Sequence, residues 1–154
     1  MIIFHDHLDG GLNAKTLLEM AIKAQYEPIM NLTVQQTATL MNKSLSESLE
    51  DFLSAFIHTI AVMQTYDNLE QIAFEAAEAM HNDGIKYYES RFAPLYSVNN
   101  ELNIKDVIKS VLRRRSNTHF CLRKQLQYCV RHHVRCRVAH FMAQHVSFIV
   151  VVLI

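Results

Sequence analysis

The stretch "FHDHLDGG" at residues 4–11 gathers two imidazoles, two carboxylates and two glycines within eight positions. His5 and His7 stand two residues apart. In a β-strand such residues project from one side, while Asp6 between them turns away. Imidazole nitrogen is a good zinc ligand at ~2.0–2.1 Å, and two from one strand fill two corners of a tetrahedron. Gly10 and Gly11 follow at once, so the backbone can turn tightly and leave room for a ligand. An H-x-H spacing is by itself weak in a chain with nine histidines. Its setting gives it weight: an apolar strand before it, an acid two residues after it, then glycine. Taken alone, Asp9 reads as a turn or capping acid, as Asp before Gly often is.

The elements that must position these groups follow from patterning. "MIIFHDH" is short, apolar and rich in strand formers, which predicts a buried strand. "NAKTLLEMAIKAQ" predicts a helix capped by Asn13 with Leu17, Met20, Ala21 and Ala24 on one face, and Pro28 closes that region. "SESLEDFLSAFIHTIAVM" spaces Leu49, Phe52, Leu53, Phe56, Ile57 and Ile60 as a helical stripe. In "DNLEQIAFEAAEAMHNDG", Asp67 is the expected cap and Glu70 its capping-box partner. Leu69, Ile72, Ala73, Ala76 and Met80 form the stripe, and Gly84 is the stop. "IKYYESRFAP" at 85–94 predicts a second strand ended by proline, and "ELNIKDVIKSVLRR" a further helix. Strands and helices in alternation predict an α/β protein with parallel pairing. Further on, "LQYCVRH" reads as a third strand, "CRVAHFMAQH" as a short helix and "SFIVVVLI" as a fourth strand.

The chain has 154 residues, half of them apolar, enough for one globular domain with a real core. No signal peptide is recognisable, and the longest apolar run, "FIVVVLI" at 148–154, is too short to span a bilayer. The expected compartment is the cytoplasm, with no membrane partner. Cys121, Cys129 and Cys136 form no C-x-x-C pair and read as reduced thiols. A net charge of zero hides an asymmetry. Residues 1–106 carry all 15 acids and six bases (net −9), whereas residues 107–154 carry nine bases and no acid (net +9). A basic tail of this kind suits either a nucleic-acid-binding arm or a degraded or misread version of an ordinary sequence.

The motifs "HDHLDGG", "SLEDFLSAF", "MHNDG" and "IKYYESRFAP", in that order and spacing over roughly residues 3–112, resemble the N-terminal part of adenosine deaminases. The resemblance implies a TIM-type (β/α)₈ barrel holding one Zn²⁺ per complete site. On that basis this chain is expected to be an incomplete barrel, about the first four βα units of eight. It would form a single partial deaminase domain, family-like over 1–112, with a diverged or misread tail over 113–154. The tail segment "YCVRHH" is faintly similar to the family's third strand. Around "VVVLI" the glycine and aspartate expected of the fourth strand are replaced by Val151–Leu153.

By the same resemblance, His5 and His7 are the first two zinc ligands, His7 also lies near the substrate, and Asp9 contacts the ribose 5′-hydroxyl. The implied reaction is hydrolytic deamination of adenosine or deoxyadenosine to inosine or deoxyinosine by zinc-activated water. The family's third zinc histidine, its ring-protonating glutamate, a second catalytic histidine and its paired aspartates come from strands five to eight. No catalytic residue is therefore expected in this chain, and the chain alone is expected to be inactive. Arg91 is expected to be structural beneath the active face, His58 and His81 to be solvated, and His132 and His133 not to be ligands. The alternative is a non-catalytic half-barrel that self-associates through an unpaired strand edge or pairs with another chain. A nucleic-acid-binding tail is less favoured, because the tail carries no recognisable nucleic-acid motif.

Overall fold

β-Branched and aromatic residues at the N-terminus form strand β1 (Ile2–His7), and the run after Gly84 forms strand β2 (Tyr87–Phe92). The computed structural model describes residues 1–43 and 46–113, together with the backbone of two further strands, β3 (Lys124–Gln127) and β4 (Ile149–Leu153). Between β1 and β2 lie helices α1 (Ala14–Lys23), α2 (Glu27–Met30), α3 (Val34–Met41), α4 (Leu49–Val62) and α5 (Tyr66–Asn82). A 3₁₀ turn (Pro94–Ser97) and helix α6 (Ile104–Leu112) follow β2. The fold is α/β, as expected, with β1 and β2 parallel.

The rest of the sheet departs from expectation. Its order is β1-β2-β4-β3, and β4 runs antiparallel to both β2 and β3. Parallel pairing was predicted throughout. An antiparallel neighbour needs no crossover helix, and the β-branched run "IVVVL" pairs readily along the edge that β2 offers. The expected helix over "CRVAHFMAQH", most of "LQYCVRH" and the three cysteines lie outside the described residues.

The core sits on one face of the sheet, under the helices. β2 alternates with its pleat: Tyr88, Ser90 and Phe92 are buried, while Tyr87, Glu89 and Arg91 are half-buried. Phe92 and Tyr88 join Leu17, Met20 and Ala21 of α1, Leu69, Ile72 and Ala73 of α5, and Val107 and Val111 of α6. Each such large side chain contributes about 1.5–3 kcal/mol by leaving water. β1 is less covered than predicted: Ile3 packs on the core, but Ile2 is 56% and Phe4 62% exposed.

Helix ends follow local chemistry. Asn13 caps α1 as predicted, its side chain accepting from the Lys15 N–H. Ala24, placed on the buried stripe by spacing, is instead the exposed C-terminal cap. Pro28 does not close the region; it occupies the first turn of α2, where a missing N–H costs nothing. α3 was not predicted, and its signal is a capping box between Thr33 and Gln36. The cap of α5 is Thr65, which accepts from the Asn68 N–H, and not Asp67, which lies in the first turn. Glu70 makes no capping box and instead pairs with Arg113 at 3.3 Å. Gly84, at φ +72°, ends that region as expected.

The cap assignment is testable by thermal melting. Thr65→Ala should cost about 1 kcal/mol, as loss of a capping hydroxyl does. Asp67→Ala should cost less, since it removes only a charge favourable to the helix dipole.

Candidate functional site

Pairing of β1 with β2 decides which way the histidines face. Ile3 registers with Tyr88 and Asp6 with Ser90, so β1 holds one extra residue between those pairs. Both Ile3 and Asp6 therefore point to the helix-covered face. The Asp6 carboxylate accepts from the Tyr88 hydroxyl at 2.9 Å and from Ser90 Oγ at 3.0 Å. Burial, and then the nearby Asp6 carboxylate, push the Tyr88 hydroxyl well above the usual phenol range. As expected from the spacing, His5 and His7 project together to the other side, with ring centroids 5.2 Å apart.

Their Nε2 atoms are 3.2 Å apart. Two imidazole nitrogens on one tetrahedral zinc, each ~2.05 Å from it, stand roughly 3.3–3.4 Å apart. The pair therefore fits two corners of such a site with almost no movement. One imidazole donating to the other satisfies both rings at the same distance. Partial burial, followed by the charges of Arg91 and His7, lowers the His5 pKa and favours the neutral form that ligates metal. Among the described residues no group of three or more His, Cys, Asp or Glu is gathered for a metal ion.

Beyond His7 the chain turns. Leu8 N–H donates to the Arg91 carbonyl and Gly10 N–H to that of His7, both at 2.9 Å. Asp9 is carried inward and is 4% exposed. Its Oδ2 accepts from the Ala93 N–H at 3.2 Å, and its backbone carbonyl accepts from the Thr59 hydroxyl. Its Oδ1 is buried, 3.5 Å from His7 Nδ1, and makes no hydrogen bond. Burial raises the Asp9 pKa, while the Ala93 N–H and His7 oppose that rise. This is no solvent-facing turn acid.

Helix α4 closes over the turn. The Phe56 ring meets His7 edge-on, with centroids 6.1 Å apart and planes at 87°. A Cβ on Gly10 would lie 2.8 Å from Phe56 Cζ, so the close approach of the ring requires glycine there. The buried row of α4 is Ala55, Thr59 and Val62. Of the predicted apolar stripe, Leu53, Phe56 and Ile60 are half-buried, while Leu49, Phe52 and Ile57 are exposed. Small residues let the helix approach the 7–10 turn, with Phe56 beside them against His7 and Gly10. At its C-terminal end, Gln64 Nε2 donates to the Ile60 and Tyr96 carbonyls, tying α4 to the segment after β2 that supplies Ala93.

Other expectations change. Arg91 is not beneath the site but on the histidine face, registered with His7 and donating to the Phe4 carbonyl at 3.0 Å. His58 is not solvated; half-buried, it shares a 3.1 Å hydrogen bond with the Tyr26 hydroxyl. His81 is exposed, and His132 and His133 lie outside the described residues. Thr59 and Ala93 were missed. Thr59 had a signal, a lone hydroxyl on an otherwise apolar helical row, which usually means a specific hydrogen bond. Ala93 acts through its backbone and had none.

The family model described as "Adenosine deaminase" matches residues 2–149. The chain belongs to the adenosine deaminase family. An adenosine deaminase of Mycobacterium avium is 39% identical over 111 residues, which is 71% of this chain and 30% of the relative. Adenosine deaminases of Mycobacterium tuberculosis and Mycobacterium ulcerans are 40% and 38% identical over the same length, covering 30% and 31% of those proteins. This family member thus spans about 30% of the length of the curated relatives it matches. Among the described residues no helix is long and apolar enough to cross a membrane.

Gly10→Ala should destabilise the chain by about 1–3 kcal/mol, because the added methyl forces Phe56 aside. In a Phe56→Ala background the same change should cost much less. Denaturant midpoints of the four proteins measure that coupling.

Proposed function

We propose that this chain is the N-terminal part of a zinc-dependent (β/α) barrel deaminase acting on adenosine or deoxyadenosine in the cytoplasm, and that it contributes the first two metal ligands. The observation that carries this reading is the 3.2 Å separation of His5 and His7 Nε2 at the end of β1, combined with family membership. In a parallel barrel, ligand-contacting groups sit where strands end and loops begin. The parallel β1–β2 pair, with helices between its strands, supports the barrel reading.

In this reading His5 and His7 would hold the metal. Zinc bound there would supply an acidified water able to attack C6 of the purine, with ammonia leaving. Asp9 would accept from the ribose 5′-hydroxyl, and its Oδ1 has acceptor capacity to spare. Phe52 and Phe56 on α4 would exclude water from the purine side. The remaining ligand, the glutamate and the other acids implied by the family resemblance are assigned to later strands. Residues 113–154 are read as a diverged or misread tail. Two protein ligands hold zinc weakly, and a missing general acid alone costs ~10²–10⁴ in rate. By itself the 154-residue chain is therefore not a competent deaminase.

A second reading, a non-catalytic half-barrel that self-associates or pairs with another chain, is favoured by one observation. The outer edge of β1 has no partner strand among the described residues, and Ile2 and Phe4 are exposed there.

Purified chain should retain more zinc than a His5→Ala/His7→Ala variant, form no inosine from adenosine, and, with an unpaired strand edge, not run as a clean monomer. Equal zinc in the two proteins removes the metal reading, and measurable inosine removes the inactivity. A dimer with one zinc per chain selects the second reading.

A further inference from the structure

We infer that Asp9 is a positioning residue for His7: its Oδ1 accepts from His7 Nδ1–H and thereby turns the His7 Nε2 lone pair toward His5. The metal-binding consequence rests on the reading of the site given above; the tautomer itself does not. Which imidazole nitrogen keeps the proton is set by the hydrogen bond its partner nitrogen makes. Metal-ligating histidines commonly donate that second N–H to a carboxylate, which fixes both tautomer and ring orientation. The two His7 nitrogens are placed for this arrangement, with Nε2 3.2 Å from His5 Nε2 and Nδ1 3.5 Å from Asp9 Oδ1.

The carboxylate cannot swing away. It is 4% exposed, its Oδ2 is engaged by the Ala93 N–H, and its backbone carbonyl is engaged by Thr59. Its Oδ1 is a buried acceptor without a hydrogen bond, and His7 Nδ1 is the donor facing it. Phe56 blocks the His7 ring from another side. A contact of 3.5 Å is long, but such bonds at ligand-binding sites often tighten only once the ligand is present. The proton order that follows is Asp9 Oδ1 accepting from His7 Nδ1–H, and His7 Nε2 accepting from His5 Nε2–H. Metal binding then needs only the His5 proton to move. Contact with a ribose hydroxyl is compatible, because a carboxylate oxygen offers a second lone pair.

The test is Asp9→Asn in the full chain, with the histidine rings labelled with ¹⁵N. The amide oxygen can still accept from Ala93, whereas the amide N–H₂ would face His7 Nδ1 and drive the proton to Nε2. Near neutral imidazole, at about pH 8, metal-free wild type should show His7 protonated on Nδ1, and the variant should show it on Nε2. Titration with Co²⁺ alone should give an affinity roughly 10–100-fold weaker in the variant. Wild-type His7 protonated on Nε2 overturns the inference, as does a folded variant that binds Co²⁺ as well as wild type. Should Asp9→Asn fail to fold, the wild-type tautomer decides alone. If His5→Ala binds Co²⁺ like wild type, the metal reading fails, while the tautomer of His7 still decides the role of Asp9.

Discussion

The carboxylate between the two histidines governs the geometry of the site. Asp6 reaches across to the Tyr88 hydroxyl and Ser90 Oγ, both on buried positions of the neighbouring strand. A carboxylate is costly to bury without partners, so once β1 pairs with β2 these two hydroxyls hold Asp6 on the helix-covered face. The extra residue that β1 accommodates between Ile3 and Asp6 lets both face the core. His5 and His7, flanking Asp6, are then left on the open face together. A bulged strand with ordinary alternation after the bulge thus sorts a five-residue segment into core-facing groups and a histidine pair on the open face.

Helix α4 holds the following turn at two points with different chemistry. The Thr59 hydroxyl takes the Asp9 carbonyl, a directional contact, while the Phe56 ring fills the space that Gly10 leaves and flanks His7. The row Ala55–Thr59–Val62 makes this approach possible because its side chains are small. Its cost is that Phe52 and Ile57 stay exposed, at 46% and 64%. Phe52 lies tilted against Phe56, centroids 6.0 Å apart, so its exposed ring extends the aromatic surface that reaches His7.

Much of this arrangement was legible in the sequence, and the parts that were not share a physical reason. The H-x-H spacing and strand period placed His5 and His7 together, and Asn13 marked the start of α1, because both depend on neighbours in sequence. Periodicity found α4, but half of its stripe (Leu49, Phe52, Ile57) is exposed and Ala55, Thr59 and Val62 are the buried row, since a helical stripe does not say which neighbour covers it. Thr65 and Asp67 are both good capping residues two positions apart, and only the backbone conformation of Thr65 separates them. α3 escaped because "VQQTATLM" is too polar to show a stripe. Asp9 looked like a surface turn acid for want of any local sign that Ala93, 84 residues later, would bond it.

The partial exposure of β1 belongs to the same account. "MIIF" is the near-continuous apolar run of a parallel strand covered on both faces, and a strand facing water on one side alternates instead. Helices cover one face here; on the other, Ile2 and Phe4 lie open beside the histidine pair, with Tyr87 tilted against Phe4 at 5.7 Å. The composition of β1 thus asks for a second cover on the face that carries the two histidines. That demand and the His5–His7 pair fall on the same side of the same strand. A segment packed on that face would therefore bury Ile2 and Phe4 and enclose His5 and His7 together, because the four side chains share one strand.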